Sequence, residues 1–538
     1  MGVSLKGFNN ENEDKVTSEK FMSDKSKKAI KILILMAIAV VFFILVAQVL
    51  KNSSLSEESE FKRKQIIQDA KVVRTAVENK ANEYRADPTN VELIGASLEE
   101  NPVVLNVNGI EEEYRYGYYL ITPETLTTLT SALNLLDQYY IVNYDTYDVI
   151  NYYGISYNKM QYHSLEDFLY LEKGMQPVVK QVIRTVDDLE KMRTNPNGYF
   201  KLSANLDLSG YAVGEGWKPI EQFSGTLDGR GYTISNLTVS RPSSNNVGLF
   251  GELTSTATIT NVKFENVSIR GGEYVGTLAG IGAGNISHVT VSSGNVIGQT
   301  NYTGGLVGSQ NNGTISDCIV TLDSINGNSA VGGLVGISYS GTLTKSGART
   351  SIIGSESVGG AIGLVSVSAA TYIQEVCANT QITGTSDLGG LIGKVKILTS
   401  NKLDLGNSYS KGAINGSNKN SGGLVGSISS VGSANIAFKS LYTTLDILEK
   451  SETSGGCIGY TDIAITSAVS FSDCFWEKDL APGEVLRDIG TKAENTFTLS
   501  FDSKSYSEMR IRNTFANWDF SIWGIDERNN TPYLNWEI

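Results

Sequence analysis

The chain has 538 residues, a formal net charge of −13, 41% hydrophobic residues and four cysteines. The acidic balance excludes an unassisted electrostatic grip on nucleic acid or anionic lipid and points to neutral or basic partners. Length predicts several domains and the apolar fraction supports real cores, while Cys318, Cys377, Cys457 and Cys474 show neither metal-ligand spacing nor a disulfide framework.

In chain order, residues 1–28 read as a cytoplasmic tail rich in lysine, with Lys20, Lys25, Lys27, Lys28 and Lys31 clustered at the start of an apolar run. That run, ILILMAIAVVFFILVAQVL, lies within a predicted transmembrane helix at 29–50, long enough at ~1.5 Å per residue to span the hydrocarbon core. The lysines place its start in the cytoplasm and the bulk of the chain outside, as a single-pass membrane protein at the cell surface. Residues 51–87 predict an amphipathic helical stalk, with Phe61, Ile66, Ala70, Val73, Val77, Ala81 and Tyr84 on one face, stopping near Asp87-Pro88.

Residues 88–175 read as a small α+β domain. TPETLTTLTSALNLLDQ predicts a helix with Thr122 as N-cap and Pro123 at its first position. QYYIVNYDTYDVINYYGISY predicts a hairpin turning at Asp145-Thr146. Half of the 26 tyrosines fall between Tyr114 and Tyr170, which suits strands before it suits a ligand platform.

From residue 246 to 480 one phrase recurs: NVGLFG, VGTLAG, GGLVG, GGLVG, GGAIG, GGLIG, GGLVG and GGCIG, ending at Gly251, Gly280, Gly308, Gly336, Gly363, Gly393, Gly426 and Gly459. The successive spacings of 29, 28, 28, 27, 30, 33 and 33 make the phrase a unit of architecture, not a single active-site loop. Between the phrases run short alternating stretches such as TITNVKFENVSIRG, the period of strands with one buried face. The expected fold is mainly β: a right-handed parallel β-helix of about eight coils of ~28 residues, with an N-terminal cap at 176–245 and a C-terminal cap at 481–538. Glycine in the phrase would permit tight corners and positive φ and let neighbouring backbones approach. Trp217, Phe223 and Leu227 are the candidates for closing one end, and Phe515, Trp518, Phe520, Trp523, Tyr533 and Trp536 for the other.

GGLVGSQNNG lacks the lysine and helix of a P-loop. The two histidines, His163 and His288, are far apart and neither is followed by glutamate, so no H-E-x-x-H zinc site exists. His288, Asp317, Lys345, Glu375 and Asn407 fall at one position per coil and predict a solvated ladder able to bind a partner. Asp323, Glu356, Asp387 and Asp404 sit in different local contexts and form no repeated carboxylate pair for glycan cleavage. No catalytic residue, cofactor or metal is assigned.

These phrases, with IRTVDDLEKMRTNPNGYFKLSANLDLSG before them and SEMRIRNTFANWDFSIWGIDERNNTPYLNW after, resemble the GLUG motif of bacterial surface proteins and of the region preceding the protease domain of some M26 metallopeptidases. Together with the tether, the stalk, the caps and the lack of an assembled catalytic set, that resemblance implies a non-enzymatic, adhesin-like or spacer module with an extracellular protein or glycan ligand; a glycan-cleaving β-helix enzyme is the less favoured alternative. Residues 29–157, through YYIVNYDTYDVINYYG, are similar to type IV pilin-like proteins of Gram-positive bacteria, although no Gly-Phe site precedes the apolar run and its fifth position holds no glutamate. This second resemblance implies a minor pilin-like subunit with pilus or pseudopilus partners.

Overall fold

The structure is a computed structural model that describes residues 60–107, 110–157, 160–173, 180–398, 401–416, 419–480, 486–493 and 501–537. The tail and the apolar run at 29–50 lie outside the described residues, and among the described residues no helix is long and apolar enough to cross a membrane. Residues 60–86 are helical. Contacts divide the chain inside this helix, at Asp69/Ala70. Beyond that point Ala70, Val73, Val77 and Ala81 are buried as the period predicted, while Phe61 on the other side is 65% exposed.

The small domain is built on a five-stranded antiparallel sheet in the order Ala96–Ser97, Tyr118–Ile121, Tyr140–Asn143, Val149–Tyr157 and Met160–Ser164. The predicted hairpin is present, closed by the Asn143 amide donating to the Asp148 carbonyl at 3.1 Å. Thr122 caps the helix Pro123–Leu129 in a reciprocal capping box with Thr125. That helix ends at Leu129, well before the predicted Gln138. Thr130 and Ser131 are weaker helix formers than the Ala and Leu that follow, and Thr130 is already extended.

The rest is a parallel solenoid. One interior stack runs Phe200, Leu227, Ile259, Ile286, Ile315, Leu343, Ile373, Leu405, Phe438 and Phe471, each paired in register with the next. A second runs Phe250, Ala279, Val307, Val335, Ile362, Ile392, Val425 and Ile458, through the aliphatic residues of the repeated phrase. Stacking identical pleats buries these side chains continuously, at roughly 25 cal/mol for each Å² of apolar surface removed from water.

The turns number about ten rather than eight. The additional coils flank those that carry the glycine phrase. Leu206 pairs with Ile234 and Ile220 with Phe250 on one side, and Ile458 with Ile489 on the other. Trp217, Phe223 and Leu227 are accordingly interior residues of these coils, fully buried. The short helix Val186–Glu190, with the turn after it, adds Leu189 and Met192 to the same core.

The glycine expectation needs a correction. None of the phrase glycines has positive φ. Their role is close approach alone: a methyl group on Gly390 would fall on the Gly423 carbonyl oxygen of the next coil.

Candidate functional site

Positive φ belongs instead to the ladder that the sequence aligned. Asn261, His288, Asp317, Lys345, Glu375, Asn407, Ser440 and Asp473 all lie in the left-handed region, with φ between 44° and 57°. Each directly follows a residue of one in-register row, Thr260, Ser287, Ser316, Thr344, Gln374, Gly406, Lys439 and Ser472. The ladder is thus the corner of every coil, where the chain turns from one sheet to the next. Asn, Asp and His are the side chains most often found in this conformation, whereas Lys and Glu adopt it at a cost that the surrounding register must offset.

Two elements that the sequence did not connect to the ladder flank it. On one side is the small domain, and the buried Arg230 joins the two. Its guanidinium carbon lies 4.1 Å from the centre of the Tyr114 ring and 5.8 Å from that of Tyr118. Lys201 and Glu112 form a buried ion pair at 2.9 Å beside it, and the Tyr114 hydroxyl donates to Glu112 at 2.8 Å. Burial alone would raise the Glu112 carboxyl, but Lys201 and Arg230 outweigh that and hold it at about 2. Arg230 itself is 4% exposed, and neither of its terminal nitrogens has a hydrogen-bond partner.

On the other side lies the C-terminal segment. Its aromatics do not simply close the rod's end. Phe501 stacks on Phe471 at 5.9 Å and continues the interior. Phe515, Trp518 and Trp523 lie along the flank, on an outer stack of Cys377, Tyr409, Tyr442 and Phe475, with Phe520 and Trp536 packed against the same cluster. Tyr533 pairs with Gly524 in a two-stranded ribbon of the same segment. The segment therefore straps the last coils together.

Between these two elements the corner ladder floors a cleft of about 600 Å³, within the size range of ligand sites. Asn261, His288, Asp317 and Lys345 line its floor, Tyr116 and Tyr147 the small-domain side, and Arg349, Trp536 and Glu537 belong to the strap side. His288 Nδ1 is buried without a hydrogen-bond partner. Among the described residues, no ion pair engages Asp317 or Lys345. These groups can hold a polar ligand through charge and hydrogen bonds.

His163 lies apart, buried in the small domain with Nδ1 3.0 Å from the Asn151 carbonyl. Glu356 and Asp387 meet around Lys394 at 3.5 and 2.8 Å, and Asp404 pairs with Lys402 at 3.0 Å, so these carboxylates are spent on local pairs. Among the described residues no group of three or more His, Cys, Asp or Glu could hold a metal ion. The four cysteines are free and buried. Cys318, Cys457 and Cys474 belong to the interior and Cys377 to the flank cluster. Burial pushes the Cys318 and Cys474 thiols up to about 12.

Comparison with known proteins places parts of the chain. Halomucin of Haloquadratum walsbyi is 39% identical over 132 residues, which is 22% of this chain and 1% of that protein. A protein of Evansella cellulosilytica named as a Gly-rich membrane protein is 32% identical over 124 residues, 21% of this chain and 14% of its own length. The alignments thus span only a small fraction of either relative. A Bacteroides ovatus structure described as an immunoglobulin A1 protease is 16% identical, covers 66% of this chain and 92% of its own, and superposes with a TM-score of 0.31. Residues 137–293 match the model of the N-terminal region of M26 IgA1-specific metallo-endopeptidases, a stretch that runs from the small domain into the first coils.

Proposed function

We propose that this protein is a non-enzymatic cell-surface protein, anchored by the apolar run at 29–50, whose solenoid holds the corner-ladder cleft as an adhesin-like binding site. The observation that carries the reading is the set of ladder side chains, His288, Asp317 and Lys345, that line a cleft without being consumed by pairs within the protein. A scaffold that stacks identical coils could keep its corners uniform and neutral, yet here four consecutive corners carry different polar groups. The names of the relatives, a halomucin and a membrane protein, fit a surface location.

The test is binding of the full chain to a panel of glycans and matrix proteins. A specific ligand whose affinity falls at least tenfold in an Asp317→Lys, Lys345→Glu double variant is the expected result. A panel without a single specific ligand would reduce the solenoid to a spacer. Intact mass of the chain recovered from its native membrane tests the anchor.

A further inference from the structure

The flank that carries the corner ladder already binds a polypeptide segment, folded into short 3-10 turns and a two-stranded ribbon. Three indole N–H groups of the C-terminal strap dock on three corners. Trp518 donates to the Asp473 carbonyl at 3.1 Å, Trp523 to Asn407 Oδ1 at 3.3 Å and Trp536 to the Glu375 carbonyl at 3.1 Å. The neighbouring Glu537 carboxylate accepts from the Tyr409 hydroxyl at 2.8 and 2.9 Å and pairs with Arg349 at 3.3 Å. The strap thus seats an indole on the corner backbone and places a carboxylate on a neighbouring cation. It reaches Glu375, and the next corners, Lys345, Asp317, His288 and Asn261, line the cleft.

We propose that this run of corners binds an acidic, aromatic-bearing polypeptide segment of a partner protein, its indole and carboxylate seated as those of the strap are on the corners beside it. The inference rests on the reading of the protein as a binding module and names the ligand class. Continuity with the strap interface is the first argument. Charge is the second: the cleft is lined by the cations Arg85, Arg230, Lys263, Lys345 and Arg349 against the acids Glu99, Asp145, Asp317 and Glu537, a local excess of positive charge in a chain of net charge −13. Three of those cations are already matched, Arg349 by Glu537, Arg85 by Asp145 at 3.9 Å and Arg230 by the buried Glu112. Among the described residues Lys345 is in no ion pair and Lys263 lies only over the Tyr116 ring at 5.5 Å, so these two are left to face an incoming carboxylate. The third is unspent hydrogen-bonding capacity, at the terminal nitrogens of the buried Arg230 and at His288 Nδ1. Three coil steps of ~4.8 Å separate Asn261 from Lys345, a run of about 14 Å that four or five extended residues would span. A neutral glycan would find hydrogen-bond partners here but would bring no carboxylate to Lys263 and Lys345.

The probe is a fluorescent synthetic peptide, SIWGIDERNNTPYLNWEI, the strap's own final segment, titrated into the full chain and followed by anisotropy. A companion peptide carries Asn and Gln in place of its Asp and Glu. Expected are saturable binding of the acidic peptide, at least tenfold weaker binding in a Lys263→Glu, Lys345→Glu variant of unchanged thermal midpoint, and no change in Lys396→Glu, an exposed lysine outside the cleft. His288→Ala, a smaller change, should weaken binding severalfold should the double variant fold poorly. Absence of saturable binding, binding equally by the neutral companion, or insensitivity to the cleft variants, as would happen if the peptide merely displaced the strap, each overturns the proposal. A glycan that binds with the same sensitivity to the double variant would sink the polypeptide inference and leave the binding-module reading standing. Failure of both peptide and panel would remove both.

Discussion

Glu112 shows how a single side chain joins the small domain to the solenoid. It is 6% exposed and faces the ammonium of Lys201 and the guanidinium of Arg230, both also buried. Removing one member of a buried ion pair leaves an uncompensated charge and costs about 3–5 kcal/mol. Glu112→Gln should therefore lower the denaturant midpoint by a corresponding amount at neutral pH. The carboxyl titrates at about 2 in the folded protein against an ordinary 4.5, so its stabilisation is fully present above pH 4.5 and is lost as pH falls through 2. The gap between parent and variant should close over that window. A gap that is absent at neutral pH, or that persists unchanged at pH 2, would refute the assignment. The corner residues teach a different lesson. Lys345 and Glu375 have no intrinsic liking for left-handed backbone, and they adopt it because the in-register strands on either side fix where the chain must turn.

The strap is the element whose role changed most between sequence and structure. Its tryptophans read as a plug for an open sheet edge. They instead form a lateral clamp in which Trp518 and Trp523 lie 4.3 Å apart and Trp523 reaches the rings of Tyr409 and Tyr442 at 6.1 and 5.9 Å. Trp523 is 1% exposed, and truncating such a residue costs about 3–5 kcal/mol. The Cys377 thiol reports on the clamp. Burial pushes it well above its ordinary value, the Glu537 carboxylate adding to the effect, so it should react slowly with iodoacetamide in the intact protein. Trp523→Ala should speed alkylation of Cys377 about tenfold or more while Cys318, inside the solenoid, stays protected. Equal acceleration at both cysteines would mean global unfolding, and no acceleration at either would mean that the strap does not depend on Trp523.

At the scale of the whole molecule, the proposed anchor at 29–50 would decide whether the solenoid is displayed permanently or delivered on a filament. Intact mass and N-terminal sequencing of the chain from its native membrane should return Met1 or Gly2, with residues 29–50 retained. A new terminus beside that run would instead favour the pilin-like alternative, and filaments would be sought next. Net charge is a poor guide at this scale. A chain of −13 suggests neutral or basic partners, yet the cleft gathers more cations than acids, because a cleft's field depends on the few charges that the fold brings together.

The sequence by itself determined the solenoid, because a coil of 27–33 residues that repeats its aliphatic pair can bury it only by stacking on its neighbours. The register confirms this directly: Val335 pairs with Ile362, Ile362 with Ile392 and Ile392 with Val425, the same spacings as the phrases. The sequence also aligned His288, Asp317, Lys345, Glu375 and Asn407, since one residue per period must occupy one place per coil. It did not reveal that this place is a left-handed corner, nor that the phrase glycines serve contact instead of φ, because local composition does not record which backbone lies against which. The two elements that turn the ladder into a cleft come from hundreds of residues away on either side. Tyr116 and Trp536 have no periodic relation to one another, and only the packing of the small domain and the strap onto one flank of the solenoid brings them to the same site.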